Sequence, residues 1–69
     1  MEDKFELIID NQKYIIERLE ESFNVYASSI RLGEVRRTTD EFVRWEQLHG
    51  VLDGDTVLKV GELIENYYK

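Results

Sequence analysis

A chain of 69 residues with no Cys, no Pro and a single His is one domain at most, and it has neither disulfides nor thiolate metal sites to brace a small core. Its net charge of −6 and pI near 4.6 argue against generic binding to nucleic acid or to an anionic membrane surface. Hydrophobic residues make up 42% and aromatic residues 12%, enough for a folded core and too much for a typical disordered chain.

The charge is uneven: residues 1–30 carry a net −4, residues 31–44 a net +1, and residues 45–69 a net −3. Apolar runs such as Leu7-Ile8-Ile9 and Val57-Leu58 fall far short of a membrane span. The opening Met1-Glu2-Asp3-Lys4 is acidic where a signal peptide would be basic, and with the absence of Cys this predicts a cytoplasmic protein.

Phe5, Gln12, Leu19 and Tyr26 recur every seven residues, with Ile8/Ile9, Ile15/Ile16, Ser22/Phe23 and Ile30 between them. This a/d-like pattern predicts one amphipathic helix from about residue 3 to residue 31, roughly 45 Å long. The alternation of a strand fits only Phe5-Leu7-Ile9, and a hairpin at Asp10-Asn11 lacks the glycine such turns favour. Glu2, Asp3 and Arg31 suit the two ends of a helix dipole, and Gly33 stands where a left-handed stop belongs.

Thr38-Thr39-Asp40-Glu41 has the form of a capping box. Phe42, Trp45, Leu48 and His49 follow at three- and four-residue spacing before Gly50, which predicts a second helix over about 39–49 with Trp45 a shielded indole. The last segment predicts a third helix over about 55–68, capped by Asp55, with Val57, Val60, Ile64 and Tyr67/Tyr68 on one side. Gly61 inside it would cost about 1 kcal/mol unless it permits a close helix crossing. A small hairpin around 51–60, turning at Asp53-Gly54, is the alternative. The fold expected is therefore all-α: a single domain over 1–69, one long helix with two shorter ones packed on it, forming a helical-bundle, coiled-coil-like dimer.

Little here points to chemistry. Asp53-Gly54-Asp55 invites a calcium-loop reading, but Leu58 and Ile64 occupy the positions where that loop needs Gly and Glu. His49 has no nucleophile, acid or oxyanion site beside it in sequence, and there is no phosphate loop, nucleophile elbow or metal-ligand spacing. No catalytic, cofactor-binding or metal-binding residue is expected, and the chain reads as a non-catalytic protein–protein interaction or regulatory module.

The expected partner surface is the stripe Phe5, Ile8, Gln12, Ile15, Leu19, Phe23, Tyr26 and Ile30. Leu7, Tyr14, Ile16 and Val25 lie beside it and widen the apolar arc beyond what two short helices can cover, which predicts a homodimer or a dedicated protein partner. A first alternative is a nucleic-acid contact through Arg31, Arg36, Arg37 and Arg44, although Glu34, Asp40 and Glu41 are interleaved with them. A second is an acidic inhibitor that occupies a partner's nucleic-acid-binding surface through Glu6, Asp10, Glu17, Glu20 and Glu21.

Overall fold

The structure is a computed structural model and describes residues 3–39 and 44–68. Five strands come first: β1 (Lys4–Ile9), β2 (Gln12–Arg18), β3 (Phe23–Ala27), β4 (Ile30–Arg37) and β5 (Trp45–Gly50). Among the described residues they form one antiparallel sheet in chain order, followed by a single helix, α1 (Gly54–Tyr67). The protein is thus a β-meander with one C-terminal helix, and the all-α bundle expected from the heptad spacing is overturned.

The long helix over 3–31 does not exist; that segment is β1, β2, β3 and the start of β4. Two tight turns make the difference. Asp10-Asn11 have φ of 51° and 66°, and Ser28-Ser29 repeat the same values, the type I′ geometry whose twist matches that of antiparallel strands. Asp and Asn tolerate the left-handed region without glycine because their short polar side chains hydrogen-bond locally. The β-branched residues Ile8, Ile9, Ile15, Ile16 and Val25 then favour a pleated surface over a helix. With no long helix there is no helical bundle and no coiled-coil seam.

Alternation selects the core. Leu7, Ile9, Ile16, Val25, Val35 and Trp45 turn to one face and are buried under Val57, Val60 and Ile64 of α1. Leu7, Ile16 and Val25, which the heptad reading set beside its stripe, are central to this core. Heptad spacing misleads here because β1 and β2 carry isoleucines on both faces: Ile9 and Ile16 are buried, while Ile8 is 65% exposed and Ile15 half-buried on the other side.

The second expected helix is also absent. Trp45–Gly50 is β5, paired with β4 from Arg37↔Trp45 to Gly33↔Gly50. Asp40, Glu41 and Phe42, on which its start rested, lie outside the described residues. Gly33, expected as a helix stop, sits inside β4, and the hairpin considered over 51–60 does not form. Trp45 is nonetheless shielded, at 4% exposure.

The C-terminal segment is helical, beginning one residue earlier than expected. Asp53 is its N-cap residue, and the Thr56 hydroxyl donates to the Asp53 carboxylate, holding it below the usual aspartate value. The Gln47 side-chain amide fixes the approach to α1: Nε2 donates to the Leu52 carbonyl at 2.8 Å, and the Leu52 N–H donates to Oε1 at 3.0 Å. Along α1, Gly61 lies flat against the Trp45 indole, and a Cβ there would come within 2.3 Å of the ring. Farther on, Tyr67 stacks on Phe5 of β1 at 3.8 Å between centroids.

Gly61→Ala should therefore destabilise the fold by about 3 kcal/mol, because a rigid indole cannot move aside for the methyl group. Urea denaturation followed by Trp45 emission checks this. An unchanged midpoint would show that α1 is not seated on the ring.

Candidate functional site

The helix covers one face of the sheet, and among the described residues no element covers the other. That open face takes its order from the strand register. Lys4, Glu17, Asn24, Glu34 and His49 stand opposite one another in turn, one from each strand, so a polar row crosses the whole sheet.

At the centre of the row Asn24 is only 8% exposed. Its Nδ2 donates to Glu17 Oε1 at 3.1 Å, and the Tyr26 hydroxyl donates to the same oxygen at 3.0 Å. On the other side Ser22, also buried, donates its hydroxyl to Glu34 Oε2 at 2.5 Å. His49 Nε2 lies 3.7 Å from Glu34 Oε1, and the Glu34 side chain is 18% exposed. Asn24 Oδ1 is buried and accepts no hydrogen bond among the described residues.

These contacts shift two groups, Glu17 and Tyr26. The Asn24 amide, then the Tyr26 hydroxyl and the Lys4 charge, hold the Glu17 carboxyl below the usual Glu value of 4.5. The reciprocal effect raises the Tyr26 phenol above its usual 10.0, because ionising it would break the bond to Glu17 and set two anions together. At neutral pH Glu17 is an anion and Tyr26 a neutral donor.

The acids at the margins are paired: Glu6 with Lys13 at 3.7 Å and Glu46 with Arg36 at 2.6 Å. Glu17 and Glu34 have no Lys or Arg within ion-pair distance among the described residues. Ser22, Glu34 and His49 do not make a hydrolytic triad, since the serine bonds directly to the carboxylate and His49 lies on its far side. Among the described residues no group of three or more His, Cys, Asp or Glu side chains could hold a metal ion. What the row offers is a set of fixed acceptors.

Of the expected partner surface, Ile8, Ile15 and Tyr26 come together on the open face as a diagonal beside the polar row, through the pairings Glu6↔Ile15 and Ile15↔Tyr26. Phe5 and Phe23 turn to the other face, against Tyr67, Tyr68 and Trp45. Gln12 and Ile30 stand exposed at strand starts, and Leu19 lies in the turn before β3.

The four arginines are not gathered either. Arg31 and Arg36 lie on the open face, opposite Tyr26 and Glu46. Arg37 pairs with Glu65 of α1 at 2.8 Å, and Arg44 lines a groove on the helix side with Phe23, Trp45 and Tyr68. Glu17, Asn24 and Glu34 were not expected as a unit, because only the strand register brings them together.

Linkage gives the row a pH signature. Glu17, lowered in the fold, contributes stability above its unfolded value that is lost as pH falls through 4.5 and below. Tyr26, raised in the fold, contributes stability below its unfolded value that is lost as pH rises through 10.0 and beyond. Glu17→Gln should accordingly be less stable than the parent between these limits, converge with it in acid, and bring the Tyr26 phenol down towards its usual value. Thermal melts across pH and NMR titration of Tyr26 measure both effects, and a Tyr26 titration unchanged by the substitution would contradict them.

Comparison with known proteins adds no relative: no protein-family model, no curated protein and no solved structure matches this chain.

Proposed function

We propose that this chain is a non-catalytic protein-interaction module of the cytoplasm that docks a partner protein on the open face of its sheet. The observation that supports this reading is the pairing of a rigid row of acceptors with an apolar diagonal, both on the uncovered face. Interfaces that carry affinity have this composition, an apolar centre for burial and a few fixed polar groups for orientation. The groups in the row are held by one another before any partner arrives, so binding orders few side chains. The helix-side face, in contrast, is occupied by the protein's own core. No helix of the structure is long and apolar enough to cross a membrane among the described residues.

A nucleic-acid role receives no such support, because the four arginines are divided between two faces and two of them are already paired with Glu46 and Glu65. Duplex DNA or RNA should show no salt-dependent binding at about 0.15 M salt, where the Debye length is near 8 Å. Fluorescence anisotropy measures this directly, and micromolar binding that weakens as salt rises would reverse the preference.

Lysine-directed cross-linking in extract of the native cell tests the docking face. Lys4 and Lys13 are on the open face, and Lys59 is on α1. Links to partner proteins should concentrate at Lys4 and Lys13, and Ile15→Asp should suppress them while the fold persists. Links concentrated at Lys59 would place the interface on the helix and refute the proposal.

A further inference from the structure

The two central carboxylates and the amide between them are a receptor of a particular kind. Resting on the docking reading above, we infer that Glu17, Asn24 and Glu34 receive the guanidinium of an arginine side chain from a basic segment of the partner protein.

The first reason is the inventory of atoms. Glu17 Oε1 accepts from Asn24 and Tyr26, and Glu34 Oε2 accepts from Ser22, so the donors nearby are already spent on these two oxygens. Among the described residues no hydrogen bond reaches Asn24 Oδ1 or the second oxygen of Glu17. A buried amide oxygen without a donor is destabilising, and donors from a ligand relieve it. The centre of the row has acceptors to spare, its own basic groups standing at the two ends as Lys4 and His49.

The second reason is charge. Glu17 and Glu34 lie two strands apart, about 10 Å at the backbone, with Asn24 between them. Neither has a Lys or Arg within ion-pair distance among the described residues, whereas Glu6 and Glu46 on the same face do; what reaches them is the Lys4 charge on Glu17 and the His49 imidazole 3.7 Å from Glu34. On a chain of net charge −6 this is a concentrated negative spot complementary to a basic segment.

The third reason is shape. A guanidinium is planar, presents five donors and no acceptor, and sheds water more readily than an ammonium. It can donate to the oxygens of Glu17 and Glu34 that Ser22, Asn24 and Tyr26 leave free, while one N–H is directed at Asn24. Its methylene stem then lies along Ile15 and Tyr26, as long cationic side chains do on apolar surface. A second copy docked about a twofold axis through the row would set these carboxylates against themselves, and a nucleic acid would meet two carboxylates.

The test uses the whole labelled protein and three small probes at matched ionic strength: Nα-acetyl-arginine amide, its lysine analogue and its citrulline analogue, which keeps the arginine's shape without its charge. The arginine probe should give saturable NMR shifts centred on the Asn24 side-chain amide and the backbone of Glu17 and Glu34. The lysine probe should bind more weakly, and the citrulline probe should give no saturable shift. Glu17→Gln and Glu34→Gln should each weaken the arginine probe by about tenfold, as expected for losing a charge-assisted hydrogen bond.

Equal shifts from arginine and citrulline would overturn the inference. So would saturable binding that both variants leave unchanged, or concentration-dependent shifts of the open face without a probe, which would mark self-association. The comparison of probes on the parent protein holds even if a variant fails to fold. Cross-links at Lys4 and Lys13 without arginine binding would leave the docking face standing and remove the guanidinium. Arginine binding with cross-links only at Lys59 would do the reverse.

Discussion

One helix has to serve five strands, and that constraint shapes the rest of the molecule. α1 has 14 residues and so spans about 21 Å, close to the width of five strands at about 4.8 Å each. It can cross one face of the sheet and no more. The crossing is anchored where Gly61 lets the helix backbone rest on the Trp45 ring, with Gln47 holding the entry and the Phe5–Tyr67 stack holding the exit. Val57, Val60 and Ile64 then fall over Ile16, Val25 and Val35. Everything that points the other way must come to terms with water.

The open face does so unevenly. At its margins opposite charges meet in exposed pairs, which contribute little to stability. In its middle the side chains are withdrawn from solvent and bound to one another, a costlier arrangement that a sheet seeking only solubility would not need. Asn24 and Ser22 each sacrifice hydration there, and the return is a pair of carboxylates held in place, with the Glu17 carboxyl kept below the usual Glu value. Groups fixed in this way lose little entropy when a partner binds, which is why the uncovered face carries the functional reading.

How much of this was legible in the sequence depended on whether a signal was local. The C-terminal helix was, because Val57, Val60 and Ile64 repeat at helical spacing behind Asp55, although the cap residue is Asp53. The shielding of Trp45 was legible although its element was not: a large aromatic on a small domain is buried whether it stands on a helix or a strand. The meander was hidden by Ile8/Ile9 and Ile15/Ile16, whose paired apolar residues erase the alternation of a half-buried strand. Asp10-Asn11 is a turn signal without the glycine that marks such turns most clearly, and Ser28-Ser29 carries almost none, since serine adopts positive φ only where the flanking strands impose it. The polar row could not be read at all. Glu17, Asn24 and Glu34 become neighbours only through the register of three strands, and a bulge after Glu34 shifts where β5 meets it.

The meander order also bears on how the chain reaches this state. Every strand pairs only with the strand before or after it in sequence, so the sheet can zip from its hairpins outward with short loop closures, which hairpins complete in microseconds. The exception is the closure of α1 onto β1, where Tyr67 meets Phe5 across nearly the whole chain. That contact carries the largest loop entropy in the fold, although the penalty grows only slowly with loop length. Sheet assembly and helix docking are therefore separable in contact order. Until the helix arrives, the side of the sheet that becomes the core is bare, and the side that faces water in the native protein is already in its final register.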